Sequence, residues 1–511
     1  MNSSLLANKQ EKRPNIIFLF SDDQSYNTLG YTGNKQVKTP NLDKLAGDGV
    51  YFDRHYDTTA ICMAARASAM TGLYEYRSGC NFTHGPLVRD IWNRSYPIVL
   101  RKAGYRTCFA GKFGFAVTDE PGNSGYGGNE AMPMDSFDVW KGWPGQGSYK
   151  TAENEFIKEY AEKYPHCTRA LGAVSGDFIK DSVKANKPFC LSVSFKAPHG
   201  PHNPDPIFDE VYADTVWEKP PNFGEEGAKH LPKQAKSGRQ YMKLNRGYKP
   251  EKYQESMRKY QQQIYGVDYA VGMIRKELEA QGVAENTIII FSSDNGYSCG
   301  AHDLGGKVLP YEEASKVPMI IFDPRDKGKN KSSRSLAVTG NIDIMPTILD
   351  YAGLDVPDDI DGKSLRPLMA DPEGEVRDAM AIMNVWGNIP TYEMGVVSED
   401  YKYLYWFFGA EGMKPAQELY NLKDDPYEMH NLVADAKYSD KLAEMQKLYD
   451  REIKRWQEKC VQREEYPECG IMLDRHVAWE EKMKVIPEKR LELYRDSLLG
   501  KEKKPKVKKK K

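Results

Sequence analysis

The sequence contains no C-x-x-C pair among its eight cysteines, so neither a zinc ribbon nor a thioredoxin-like redox site has support. Eight thiols in 511 residues do not make a disulfide framework either. Cys460 and Cys469 are close enough in sequence to be bridged, and two ordinary thiols account for them equally. No apolar stretch approaches the roughly 20 residues that cross a bilayer, so no membrane span is expected. The segment from Met1 to Arg13 has no apolar centre and is not a signal peptide as it stands. The expected location is cytoplasmic, or periplasmic or extracellular if a leader was removed. Charge bias is also missing: 72 basic and 73 acidic residues leave a net charge of −1. That removes any global attraction to nucleic acid, and no nucleic-acid partner is expected. The exception is the Lys-rich run 501–511, which has too little apolar surface to fold and reads as a disordered tail.

What the sequence does have is a globular balance, with 40% apolar and 28% charged residues. Short apolar runs end abruptly in polar groups. Asn15 to Phe20 stops at Ser21-Asp22-Asp23, Phe189 to Phe195 at Lys196-Ala197-Pro198-His199, and Thr287 to Phe291 at Ser292-Ser293-Asp294-Asn295. Runs of this kind suit strands buried on both faces of a parallel sheet. Helical patterns lie between them, at Pro40 to Asp48 and Tyr260 to Ala280. The alternation points to an α/β sandwich with a mostly parallel central sheet. Ligands of such sheets bind outside the carboxyl ends of the strands, which would gather the three polar clusters at one edge. Residues 14–378 read as this catalytic domain. Pro204 to Pro250 is an irregular insertion at its rim. From about Ala379 the pattern changes: Met394 to Phe408 alternates like an exposed strand or hairpin, and Leu442 to Trp456 is an amphipathic helix. Residues 379–500 therefore read as a smaller α+β subdomain with an antiparallel sheet, and 501–511 as the tail.

Asp22-Asp23 and Asp294-Asn295 each follow a buried strand. Adjacent carboxylates there repel one another unless a cation joins them. Three carboxylates and an amide oxygen are hard ligands, suited to calcium or magnesium. Either pair alone could simply cap a helix or turn a loop.

The stretch Cys62-Met63-Ala64-Ala65-Arg66, continuing to Thr71-Gly72, resembles the signature of the type I sulfatases of the alkaline phosphatase superfamily in its alanine form. Further blocks follow the order of that family: Pro14 to Gln24, Thr39-Pro-Asn-Leu-Asp43, Gly111-Lys112, Ala197-Pro198-His199, Ser293 to Gly296 with His302 and Lys307, Tyr311-Glu312-Glu313, Val317-Pro318, Glu418-Leu419-Tyr420 and Asp425-Pro426. The resemblance spans roughly residues 14 to 432. It implies an alkaline phosphatase-like fold, and a sulfatase whose Cys62 is oxidised to formylglycine by a maturation enzyme.

The resemblance also implies roles. One hydroxyl of the hydrated aldehyde would attack sulfur and form a covalent sulfo-enzyme intermediate, and the other would expel sulfate as the aldehyde re-forms. Calcium, with magnesium as the other suitable hard cation, would be held by Asp22, Asp23, Asp294, Asn295 and the modified Cys62. Arg66 would hold the nucleophile, Lys112 and Lys307 the sulfate oxygens, and His199 would protonate the leaving oxygen. His302 and His202 would touch substrate, as would Asn203, the Pro204 to Pro250 insertion and Trp386. The expected substrate is a sulfated polysaccharide or oligosaccharide. One departure stands out: Gly114 occupies the position where many family members have a His two residues after the Lys, and His84 and His55 are the stand-ins the sequence offers. That departure keeps two alternatives open, a phosphodiesterase or phosphonate monoester hydrolase of the same superfamily and a non-catalytic binding protein.

Overall fold

The computed structural model describes residues 13–498, apart from 123–126, 327, 330 and 411. The Lys-rich run 501–511 lies outside the described residues. Eight strands form the central sheet: β1 (Asn15–Ser21), β2 (Val50–Phe52), β3 (Arg106–Lys112), β4 (Val139–Trp143), β5 (Phe189–Ser194), β6 (Thr287–Ser293), β7 (Ile320–Phe322) and β8 (Ser333–Ser335). Their spatial order is β8-β2-β7-β6-β1-β5-β3-β4. β1 sits between two parallel partners, with Ile17 opposite Leu191 on one side and Ile289 on the other. Only β7 runs against its neighbours.

The side-chain alternation of β1 explains the layers. Ile16, Phe18 and Phe20 enter one core with Met63 and Met70 of helix α2 (Cys62–Thr71). Ile17 and Leu19 enter another, with Leu42 and Leu45 of α1 (Pro40–Asp48), Leu171 and Val174 of α3 (Cys167–Lys184) and Val267 and Val271 of α4 (Tyr253–Ala280). Helices thus cover both faces. Each such side chain contributes about 1.5–3 kcal/mol by leaving water, which fixes β1, and whatever follows it, at the centre of the molecule. α4 starts seven residues before the periodicity suggests, because its first two turns carry charged residues that mask the apolar stripe while Tyr253 anchors them from below.

A second, antiparallel sheet comprises β9 (Met380–Asn384), β10 (Glu393–Val397), β11 (Tyr401–Trp406) and β12 (Ala416–Asn421). Met394 lies opposite Tyr405. The hairpin of β10 and β11 is not exposed, as its alternation suggested, but buried on both faces. Met445, Tyr449, Ile453 and Trp456 of helix α5 (Ser439–Lys459) share its core, together with Tyr56, Tyr74 and Tyr311 from the larger sheet's connections. Two covers turn an alternating pattern into a buried one. Cys460 and Cys469 are both free thiols, as are the other six cysteines. Among the described residues no helix is long and apolar enough to cross a membrane.

Candidate active site

The carboxyl ends of β1, β3, β5 and β6 meet at one edge because these four strands are parallel neighbours. The Asp22 N–H donates to Ala197 O (3.1 Å) and the Asp294 N–H to Ser21 O (3.1 Å), which ties three strand ends together. Asp23 leaves the strand with φ 67°, a left-handed conformation that costs a non-glycine residue free energy. Its N–H donates to Asp294 Oδ1 (3.2 Å) and its carbonyl accepts from the Tyr260 hydroxyl (2.7 Å), which hold it there.

Cys62 is the first residue of α2, a helix buried along its whole length. Small alanines at 64, 65, 67 and 69 let that helix pass under the sheet edge. The ammonium of Lys307 donates to Cys62 Sγ (2.7 Å), and the thiol lies 3.6 Å from Asp22 Oδ1. Burial, reinforced by the charge of Asp22, pushes the thiol up to about 12, against Lys112 and Lys307. An unmodified Cys62 is therefore protonated at neutral pH and a poor nucleophile.

One helical turn on, Arg66 is fully buried. Its Nε and Nη2 each lie 2.8 Å from Asp294 Oδ2, Nη2 lies 3.3 Å from Asp22, and Nη1 donates to Lys112 O (3.0 Å) and to the Ser194 hydroxyl. Lys112 Nζ lies 2.5 Å from Asp22 Oδ2, and Lys307 pairs with Asp23. Burial alone would raise Asp22; the charges of Lys112, His199, Arg66 and Lys307 overcome it and hold that carboxyl well below the usual range. Asp294 is pushed up to about 6 by burial, with Arg66 opposing. Buried carboxylates held by three cations make the cluster charge-dense.

The residues fit a hard cation. Asp22, Asp23, Cys62 and His199 bring one potential ligand atom each within 4.8 Å of one another. Asp294 adjoins Asp23, and Asn295 donates its Nδ2 to Asp23 Oδ1 (2.6 Å) while its buried Oδ1 has no hydrogen-bond partner among the described residues. An orphaned amide oxygen beside three carboxylates is a ligand set for calcium or magnesium.

His199 is one-fifth exposed, with Nε2 3.9 Å from Asp23 and Nδ1 on Gly200 O (2.5 Å). Burial lowers its pKa to about 4, with Asp23 and Asp22 opposing.

The remaining histidines expected at the site are engaged by other protein groups. His302, expected at the substrate, is fully buried with its nitrogens on Gly227 O (2.9 Å) and the Asn222 amide (3.0 Å), beside Glu313 and Glu428. His202 has both nitrogens engaged, by Pro198 O and Gln263 on one side and the Tyr248 hydroxyl (2.9 Å) on the other. His84 is held by Glu464 O and Val385 O, and His55 Nδ1 lies 3.0 Å from the Thr339 hydroxyl while its buried Nε2 has no hydrogen-bond partner among the described residues.

Position 114 is filled in another way. Gly114 has φ 89°, and a Cβ there would overlap Arg66 Cδ. Arg66 thus takes the space a histidine would need. Gly114→Ala is expected to displace Arg66 and lower turnover at least about tenfold, while a Gly122→Ala control, where a Cβ meets nothing, changes little; steady-state kinetics checks it. Residues that the sequence reading missed also converge here. Lys196 is buried beside Asp22 and Lys112, and burial lowers its pKa. Asp57 is buried with neither carboxylate oxygen hydrogen-bonded among the described residues. Lys196 was in view, directly before the Ala-Pro-His block; Asp57 carries no sequence signal.

A family model described as Sulfatase matches residues 14–354, and one described as N-sulphoglucosamine sulphohydrolase, C-terminal, matches residues 300–455. An N-acetylglucosamine-6-O-sulfatase of Bacteroides thetaiotaomicron is 27% identical, over 88% of each chain. The N-acetylglucosamine-6-sulfatase of Homo sapiens is 32% identical, over 70% of this chain and 64% of its own. A solved structure of a protein in complex with its substrate D-glucosamine-2-N,6-O-disulfate superposes with a TM-score of 0.70 at 26% identity, over 88% of this chain and 99% of its own. A phosphonate monoester hydrolase of Agrobacterium radiobacter shares the fold, with a TM-score of 0.69 at 24% identity, over 85% of this chain and 95% of its own.

Proposed function

This chain belongs to the sulfatase family and is a sulfuric ester hydrolase, and we propose that it removes sulfate from an amino-sugar-containing carbohydrate, with Cys62 matured to formylglycine and calcium held by Asp22, Asp23, Asp294 and Asn295. The observation that carries this reading is the placement of a buried Cys62 against Lys307 and the carboxylate cluster. A thiol so placed is inert, whereas a hydrated aldehyde at the same carbon would have hydroxyls to offer. Relatives named as N-acetylglucosamine-6-sulfatases, from a bacterium and from human, support the substrate class.

The chain's own residues divide the work. Lys307, on Cys62, and Lys112, on Asp22 beside it, would hold the sulfate oxygens as charge shifts onto the leaving group. Arg66, fixed by Asp294 and by the Lys112 carbonyl, would orient the nucleophile and offset the carboxylates. Calcium, when bound, would act as a Lewis acid and neutralise the carboxylates that otherwise face one another. His199 would deliver the proton to the departing sugar oxygen. Burial lowers its pKa, and the negative charge of a sulfate ester beside the ring would act in the opposite direction.

The test is sulfate release by the matured chain from 6-sulfated N-acetylglucosamine, set against the matching phosphate ester. Faster sulfate turnover supports the reading; turnover of phosphate alone contradicts it and favours the phosphonate hydrolase chemistry of its fold neighbour. Chelation gives a second result. Stripping divalent cations is expected to abolish turnover and lower the melting temperature, and calcium at a hundred times its dissociation constant to restore about 2.7 kcal/mol of stability. Full activity in the chelated protein would contradict the metal assignment.

A further inference from the structure

Outside the reacting cluster, a second group of potential metal ligands is buried where three segments of the chain meet. His302 comes from the loop that carries Lys307, Glu313 from the four-residue helix Glu312–Ser315 that follows it, and Glu428 from the turns after β12. One ligand atom from each lies within 4.8 Å of those of the other two. Asn222, from the Pro204 to Pro250 insertion, closes the group. Its carbonyl accepts from the His302 N–H (2.6 Å), and its side-chain amide enters the cluster. All four residues are buried.

The lone pairs point inward. His302 Nδ1 lies 2.9 Å from Gly227 O, which can only accept, so in the neutral ring Nδ1 carries the proton and Nε2 turns its lone pair to the cluster. Glu313 Oε1 accepts from Asn222 Nδ2 (2.7 Å), while its buried Oε2, 3.9 Å from His302 Nε2, has no hydrogen-bond partner among the described residues. The nearby lysines are committed elsewhere. Lys402 Nζ lies 2.7 Å from Glu312 and 2.8 Å from Glu428, and Lys316 also pairs with Glu312 (3.1 Å). Among the described residues no lysine or arginine pairs with Glu313, and a buried carboxylate without a cation is costly. Asn222 Nδ2 stands where a cation would. His302 Nε2 (3.0 Å), Glu313 Oε1 and Tyr427 O (3.2 Å) converge on it, three acceptors for two hydrogens. Asn222 Oδ1, fully buried, is left without a partner among the described residues.

We propose that His302, Glu313, Glu428 and Asn222 form a second metal site, built of other residues than the Asp22 cluster and suited to a divalent transition metal. One imidazole nitrogen with carboxylate and amide oxygens, and no thiolate, matches zinc better than the oxygen-only shells of calcium and magnesium. On binding, the Asn222 amide would turn over, so that its orphaned Oδ1 faces the ion and Nδ2 leaves the acceptors. The cavity beside the cluster, about 250 Å³, has Glu313 and Tyr427 in its wall and the exposed Asn27 and Glu218 at its margin, which gives an ion a route from solvent. The ion would pin the insertion and the C-terminal subdomain to the loop that carries Lys307. It takes no part in the chemical step, and the inference stands apart from the choice of substrate.

The experiment strips the matured chain with a chelator, refills it with excess calcium, and titrates it with zinc chloride, reading bound zinc per chain and the melting temperature. Wild type is expected to take up one zinc that calcium does not displace, and to melt at a higher temperature with it. Glu313→Gln keeps an acceptor for Asn222 and removes a buried charge. Without zinc it should therefore melt no lower than wild type, yet it should bind zinc at least about a hundredfold more weakly and lose the thermal response. His302→Ala should weaken zinc to a similar degree. Asp23→Asn, which alters the other cluster, should leave the zinc response intact. A wild-type chain that takes up no zinc would overturn the site. So would zinc binding that survives Glu313→Gln and His302→Ala unchanged, or that is lost in Asp23→Asn and kept in Glu313→Gln, which would place the ion among the residues around Cys62.

Discussion

Cys62→Ala, expressed beside the wild-type chain with a formylglycine-generating enzyme, is expected to lose sulfate release by at least about 10⁴-fold. The size of the effect follows from the geometry. Lys307 donates directly to Cys62 Sγ, and Lys112 sits across the Asp22 carboxylate from it. These cations would still bind the sulfate group when the nucleophile is gone, so substrate binding should survive while turnover does not. Because α2 carries alanine at 64, 65, 67 and 69 already, a further alanine at its first turn is compatible with the fold. Loss of activity with an unchanged melting temperature is the expected pair of results. A Cys62→Ala variant that kept a tenth of wild-type turnover would show that the nucleophile lies elsewhere.

His199→Ala carries the second large effect, and its size should depend on the leaving group. A sugar alkoxide is a strong base that departs badly without a proton, so loss of the imidazole should slow its release by about 10²–10⁴-fold. A nitrophenolate departs unaided, and the same variant should lose no more than about tenfold on nitrophenyl sulfate. The Nδ1 contact with Gly200 O orients the ring with Nε2 toward the pocket and within 3.9 Å of Asp23. That orientation is what the leaving-group dependence reads. Equal losses on both substrates would assign His199 to binding and leave the proton donor to be sought at another residue.

Much of this arrangement was legible because β1, β5 and β6 are buried on both faces. Such strands must be written as unbroken apolar runs, and the polar residues that end them announce the sheet edge. β3 was not readable in the same way. Its residues Arg106 to Lys112 include a threonine, an alanine and a glycine with charged ends, and it is a strand because β5 and β4 pair with it on either side. Gly111 at its end must be glycine, since φ is 106° and a Cβ would strike the Ser194 carbonyl. That packing is invisible one residue at a time.

The candidate site residues came from motif order, and the structure adds what order cannot supply. His302 lies within the right block, but its backbone is left-handed (φ 53°) and its ring enters the pocket of Asn222 and Glu313. Sequence spacing gives no side-chain direction. Gly114 looked like a missing catalytic group; in space it is the gap that admits Arg66. Trp386 and the Pro204 to Pro250 insertion were each candidates for reading substrate, and only the fold stacks Arg239 of one on the ring of the other.

Everything in this mechanism depends on the chemical state of the Cys62 side chain. Mass spectrometry of the peptide containing Cys62, after co-expression with a formylglycine-generating enzyme and a control sulfatase in the same cells, tests it most directly. The mass of the aldehyde or its hydrate is expected at position 62. An unmodified cysteine in a protein that nevertheless releases sulfate, beside a converted control, would contradict it.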